Sequence, residues 1–389
     1  MSRKARTYLD WNATAPILPV AREAILAALD LVGNPSSVHG EGRAARTIIE
    51  AARRDVAALV QAEPANVVFT SGATEAANLV LTPDFRMGRT PLKMSLLYVS
   101  AIEHPAVREG GRFAKGDVSE IPVTSDGVLD VAALSRALEV HDRETGLPLV
   151  AVMLANNETG IVQPVRDVAE LVHRHGGLLL VDAVQAAGRM KLSIAELGAD
   201  FLILSAHKLG GPKGAGALVS RGEVLMPAPL IRGGGQEKGH RSGTENLPAI
   251  AGFGAAAKFA CADIEMRSER LETLRARMEE RMVELAPGMT IHGRAQERLA
   301  NTCFFSLPGL KSETGQIAFD LEGVAISAGS ACSSGKVGES HVLTAMGFDA
   351  GLGGLRVSLG TDTAEADIDH FLSAFERVVS RRRQGVAAA

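Results

Sequence analysis

Six short apolar runs between residues 66 and 220, NVVFT, LLYVS, LPLVAVMLA, GLLLVDAV, DFLILSA and GAGALVS, constrain this chain more than any other feature. They are continuous rather than alternating and rich in Val, Ile and Leu, as strands are when both faces of a sheet are covered. Helical patterns separate them at spacings that suit parallel crossovers. The expectation is an α/β fold, a mainly parallel sheet with helices on each side. In such sheets functional groups gather beyond the carboxyl ends of the strands.

After the glycine-rich IRGGGQEKGHRSGT the pattern changes. A long Arg/Glu/Leu-rich helix is expected over 262–285, then short strands in NTCFFSLP, GVAIS and LRVSLG interleaved with helices, the signature of a smaller α+β lobe. With 389 residues the chain can bury two or three such lobes. We expect a large domain over 15–255, a small one from 1–14 and 256–380, and a flexible tail at 381–389. The formal charge is -4 and basic residues are scattered, which argues against a nucleic-acid partner. No window has the length of a membrane span and the basic N-terminus lacks an apolar core, so a cytoplasmic protein is expected. Cys261, Cys303 and Cys332 are odd in number and form no CxxC pair. A disulfide framework or zinc ribbon is therefore not expected, and a functional cysteine would act as a free thiol.

The strand ends carry the chemistry. NVVFT runs into Ser71, Gly72, Ala73, Thr74 and Glu75, a small-residue turn at a helix start that suits a phosphate. LLYVS leads to Glu103, His104 and Pro105, and the next strand to Asn156, Asn157 and Glu158. GLLLVDAVQ delivers Asp182 and Gln185, and FLILSAHK delivers Ser205, His207 and Lys208. Each has a local structural explanation: a capped helix, a helix-entry histidine, a strand leaving for solvent. Together they place a phosphate turn, a histidine, an amide, a carboxylate and a lysine on one sheet edge. Pyridoxal phosphate would use every one of them, with Lys208 as Schiff-base partner and Asp182 keeping the ring nitrogen protonated.

YLDWNATAP, GNPSSVHGEGR, FTSGATEAANL, EHPAV, NNETGIVQP, VDAVQ, SAHKLGGPKG, GGGQEKGHRSGTEN, SAGSACSSG and LRVSLG resemble, in order, the motifs of the NifS/IscS-type cysteine desulfurases, class V aminotransferase-like enzymes of fold type I. The resemblance spans nearly the whole chain. It implies a mainly parallel seven-stranded sheet, pyridoxal phosphate as cofactor and a homodimer. By position it makes Lys208 the Schiff-base lysine, Asp182 the partner of the ring nitrogen and Gln185 the donor to the phenolic oxygen. His104 stacks over the ring and serves as acid or base. The same resemblance implies that Thr74, Ser205 and His207 hold the phosphate, joined by Thr244 from the other subunit, with Ala73 also among the cofactor-binding residues. Asn157 and Arg356 hold the substrate carboxylate.

Cys332 sits among small residues in SAGSACSSG, on a loop able to travel, whereas Cys303 and Cys261 read as core filler. The family position of Cys332 is the cysteine that takes the substrate sulfur as a persulfide. The implied reaction turns L-cysteine into L-alanine, with sulfur passing to an acceptor such as an iron–sulfur cluster scaffold. A selenocysteine lyase, another class V enzyme such as a transaminase, and a non-catalytic docking protein are the alternatives. The cysteine loop argues against a transaminase. Lys208, Asp182 and Cys332 together argue against a docking protein. Ala328 and Ala183 depart from residues common in the family without removing a catalytic group, and the short C-terminus leaves the acceptor open.

Overall fold

The six runs form strands, and nearly every residue in them is buried. The computed structural model describes residues 6–329, 339–349 and 353–387, with side chains to residue 382. Val118–Ile121, Thr90–Ser100, Leu147–Met153, Leu178–Asp182 and Phe201–Ser205 pair in that order, all parallel. Gly216–Ser220 is antiparallel to both its neighbours, Phe201–Ser205 and Val67–Thr70. These seven strands are the expected mainly parallel sheet. Two more, Asp84–Met87 and Leu225–Pro227, extend one edge and make nine, because Thr90–Ser100 continues the LLYVS run backwards far enough to pair with Asp84–Met87.

Alternate residues of each strand face opposite layers. Leu179, Val181, Leu202 and Leu204 pack on one side with helices Gly40–Leu59, Val165–Arg174 and Leu247–Cys261. Leu178, Leu180, Phe201 and Ile203 pack on the other with Ala73–Val80. Leu247–Cys261 is apolar on nearly every side because it lies inside this layer. A Cβ on its Gly254 would sit 2.5 Å from the Ala52 Cα, so only glycine permits so close a crossing with Gly40–Leu59. The sequence reading missed this helix and began the next one slightly early, since Ile264–Leu285 starts beyond the break at Ala262 and Asp263. Among the described residues no single helix is long and apolar enough to cross a membrane.

A second core surrounds an antiparallel sheet of Thr290–Ile291, Thr302–Ser306, Leu355–Ser358 and Ser327–Ala328. Met278, Cys303, Phe305, Phe319, Val357, Phe371 and Phe375 fill it, with the Phe319 and Phe371 rings stacked at 5.5 Å. The start of the chain joins this core: Thr7–Tyr8 pairs with Val324–Ala325, and Leu9 is fully buried. The last helix, Glu365–Ala387, runs through the expected tail, because Arg377 and Arg381, one turn apart, both pair with Glu322.

Candidate active site

Parallel pairing puts the carboxyl ends of Thr90–Ser100, Leu147–Met153, Leu178–Asp182 and Phe201–Ser205 side by side, Val67–Thr70 runs the same way beyond the antiparallel Gly216–Ser220, and the residues that follow these five strands line a cavity of about 570 Å³. Ala73, Thr74, His104, Asn157, Asp182, Gln185, Ser205, His207 and Lys208 all line it. Lys208 does not leave for solvent: its Nζ donates to the carbonyls of Asn12, at 2.6 Å, and Ala13, at 2.9 Å.

Asp182 ends Leu178–Asp182 and is buried with one carboxylate oxygen accepting the Val184 N–H at 2.9 Å. Burial raises its pKa to about 6, against the Val184 N–H and the Lys208 charge, so it is ionised at neutral pH. Glu103, which the sequence reading left without a role, lies wholly inside. Its Oε1 accepts the Met153 N–H at 2.6 Å and its Oε2 has no hydrogen-bond partner among the described residues. Burial first, and Asp182 second, hold its pKa well above the usual carboxylate range. The strand register explains the closeness, since Met153 pairs with Asp182. Two buried carboxyls thus stand near each other, and burial raises the pKa of both.

His104 is the N-cap of the short helix Pro105–Arg108, and its Nδ1 accepts the Ala106 N–H at 3.1 Å. The neutral ring therefore carries its proton on Nε2. Burial, then Lys208 and His341, lowers its pKa to about 4. His207, whose Nδ1 lies 3.2 Å from Thr14 Oγ1, also falls to about 4, through burial and then Lys208, Lys213 and Arg189. Beside it Ala73 and Thr74 open helix Ala73–Val80, with their N–H groups unclaimed by the helix. Neutral donors and a helix N-terminus form one end of the cavity. Glu75 points away from it: although burial pushes its pKa up, Arg241 and the Ser71 N–H hold it below the ordinary value.

Two expected residues lie apart from this cavity. Arg356, in Leu355–Ser358, is 1% exposed and sits behind Asn157, donating to the Asn157 carbonyl and to Asp10 Oδ1, each at 2.8 Å. Its Nε and the Asn157 Oδ1 have no partner among the described residues. Thr244 is exposed and lines a separate pocket with Ser71 and Arg241, not the cavity that holds Lys208. Cys332 lies outside the described residues. The residues flanking its segment converge on one side chain: Ser340 Oγ donates to Glu158 Oε2 at 2.6 Å, and a Cβ on Gly329 would lie 2.5 Å from the same oxygen. Cys303 is buried, and burial, then Glu279, drives its thiol pKa well up, as core filler should behave. Cys261 is not core filler; it is exposed at the end of Leu247–Cys261.

A family model described as aminotransferase class-V matches residues 7–371. This chain belongs to that family. It is 40% identical over 390 residues to a cysteine desulfurase of Cereibacter sphaeroides, covering 97% of each chain. It is 36% identical to an IscS-like cysteine desulfurase of Mycobacterium tuberculosis over 98% of each. Its fold superposes on that of a NifS-like protein from Rickettsia africae with a TM-score of 0.86 at 32% identity, over 96% of this chain and 99% of the other. The class V fold is fold type I, as expected.

Besides Glu103, the sequence reading passed over Asn12, which is fully buried where the two cores meet. Its carbonyl accepts from Lys208 and Gln185, its Nδ2 donates to Thr302 Oγ1 at 2.9 Å, and its Oδ1 accepts from Asn301 at 3.0 Å. The available signal was an amide in the turn just after the N-terminal strand Thr7–Tyr8, beside the apolar Leu9 and Trp11.

Proposed function

We propose that this chain is a pyridoxal-phosphate-dependent cysteine desulfurase, which converts L-cysteine to L-alanine and carries the sulfur on Cys332 until an acceptor protein, such as an iron–sulfur cluster scaffold, removes it. One observation carries this reading. Lys208, the Asp182 carboxylate and the helix-entry turn at 71–74 share a cavity in a chain 40% identical, over 97% of its length, to a protein named cysteine desulfurase.

The cavity's residues suit the cofactor. A Cβ on Gly216 would lie 2.5 Å from the Gly72 carbonyl carbon, so the strand leaves a close cradle for the turn that would meet the phosphate. Thr74, Ser205, His207 and the Ala73 N–H would hold that phosphate as neutral donors at a helix dipole. Asp182, ionised, would keep a proton on the ring nitrogen. Gln185 would donate to the phenolic oxygen, and His104 would cover the ring. Bound there, pyridoxal phosphate supplies an electron sink for the carbanion formed when a substrate amino acid loses its α-proton.

Lys208 would hold the cofactor covalently, and its amine would be the base that takes the substrate's α-proton. Asn157 and Arg356 hold the substrate carboxylate; Arg356 has its terminal nitrogens on Asp10 and Asn157 and keeps Nε as an unused donor. The Cys332 thiolate attacks the substrate sulfur. An S–S bond forms, the C–S bond breaks, and the carbon gains the proton that completes alanine, so that thiol plus cysteine becomes persulfide plus alanine. His104 is the neighbouring group able to give or take that proton. The closeness of Gly329 to Glu158 and the hydrogen bond from Ser340 to it, next to Asn157, support delivery of Cys332 to this place.

The enzyme is further read as a cytoplasmic homodimer, with Thr244 serving the partner's phosphate. Exposed apolar side chains after helix Pro19–Leu29, Val32 at 95% and Val38 at 88%, support a covered face there. The large domain would span 15–255 and the small one 1–14 with 256–380.

Incubation with L-cysteine and a reductant tests the reading, with alanine and sulfide measured together. The wild type should release both in equal amount. Cys332→Ala should keep its cofactor and visible absorption while sulfide release falls at least about a hundredfold. Equal sulfide from both proteins would remove Cys332 from the mechanism.

A further inference from the structure

We propose that Arg189 is a positioning residue that locks the Gln185 amide with its donor edge toward the cofactor's phenolic oxygen. The two residues are four apart in the turn after Leu178–Asp182. Arg189 Nη1 donates to the Gln185 carbonyl at 2.6 Å and to its Oε1 at 2.5 Å, and Nη2 reaches the Trp11 carbonyl at 3.4 Å. On the other edge Gln185 Nε2 donates to the Asn12 carbonyl at 3.1 Å.

Neither neighbour can change its role. A guanidinium only donates and a main-chain carbonyl only accepts. Rotating the amide by half a turn would set NH₂ against guanidinium and oxygen against oxygen, so its orientation follows from the chemistry of its partners. Without Arg189 only the Asn12 contact would oppose rotation.

The placement of Arg189 is itself unusual. No carboxylate lies within ion-pair distance of it among the described residues. Part of the residue reaches the crevice between the lobes, yet burial, and then the Arg356 charge, lowers its pKa to about 9. It stays charged at neutral pH, and a desolvated cation bonded only to neutral oxygens lowers stability. A role in orienting Gln185 accounts for keeping it there.

This inference rests on the reading of the cavity as a pyridoxal phosphate site, and the test separates the two. Wild type, Arg189→Met, Arg189→Lys, Gln185→Leu and the Arg189→Met/Gln185→Leu double variant are loaded with pyridoxal phosphate, and the visible band is titrated with pH. Lys208, Lys213, Asp182, His104 and His207 line the cavity in every variant, with Glu103 and Arg356 beside it, so differences isolate residues 185 and 189. Loss of an oriented donor to the phenolate should raise the midpoint by about one unit in Arg189→Met, with Arg189→Lys near wild type. In the Gln185→Leu background the Arg189→Met shift should shrink to a third or less, which a general loss of packing would not do. A wild-type midpoint in Arg189→Met, or a full shift in the double variant, would overturn the inference. If Arg189→Met fails to fold, Arg189→Lys carries the test, and a midpoint as high as that of Gln185→Leu overturns it. Absence of any visible band in the loaded wild type would instead defeat the cofactor reading.

Discussion

Asp182 and Glu103 show how surroundings set the acidity of one functional group, the carboxyl. Both carboxyls are buried, but Asp182 has the Val184 N–H and the Lys208 charge to favour its anion, whereas Glu103 has the Met153 N–H alone and Asp182 against it. The Asp182 pKa is raised in the folded protein, from 3.8 to about 6. Its contribution to stability is therefore complete below the unfolded value and is lost as the pH rises through 6. Above that point the cofactor-free protein holds a buried anion at a loss, which a protonated ring nitrogen would remove. Cofactor affinity should thus fall as the pH drops below about 6, by about tenfold per unit. His104 and His207, at about 4, titrate below this window. Comparing cofactor-induced shifts in Tm from pH 5 to 8 checks this: Asp182→Asn should flatten the part that the phosphate's own titration does not explain. An Asp182→Asn profile matching wild type would leave the carboxylate without that role.

At the scale of elements, the site depends on how closely Gly216–Ser220 approaches the turn before Ala73–Val80. The Gly72 atoms and the Leu204 carbonyl that a Cβ at 216 would meet are all main chain, within 2.8 Å, and cannot rotate aside. Gly216→Ala should therefore displace the 71–74 turn, weakening cofactor binding about tenfold while leaving the sheet intact by circular dichroism. Unchanged affinity in a titration would mean that the turn yields. The segment 233–244 is fixed by two ion pairs. Arg53 grips Glu237 through both terminal nitrogens, at 2.7 and 2.8 Å, and Glu237 also accepts the Phe69 N–H. Arg241 holds Glu75. Breaking one side of the buried Arg53–Glu237 pair strands the other charge. Glu237→Ala should lower stability by about 3 kcal/mol in denaturant titration, and a loss within error of zero would show that the segment repacks.

For the whole molecule, Leu29, Val32 and Val38 are exposed apolar side chains within ten residues of one another in the chain, which a monomer would leave wet. Under the proposed homodimer reading, Leu29→Glu with Val32→Glu should leave monomers in sedimentation and weaken cofactor binding, since Thr244 would then no longer reach a partner's phosphate. Unchanged sedimentation would exclude these side chains from the interface.

What could be read from the chain alone was local or periodic. Continuous apolar runs specify strands covered on both faces, and the residue after each run must lie at the sheet's edge, so His104, Asn157, Asp182 and Lys208 were legible together. The extra edge strands and the core helix Leu247–Cys261 were not, because weak or all-round apolar patterns carry no distinct period. Only tertiary structure decided which distant groups meet. It set Lys208 and Gln185 on the Asn12 carbonyl, Arg356 on Asp10, Arg189 on Gln185, and Asp182 beside Glu103. Side-chain period and strand ends follow from the geometry of neighbouring residues. Protonation states and hydrogen-bond partners depend on desolvation and on charges brought near from far along the chain.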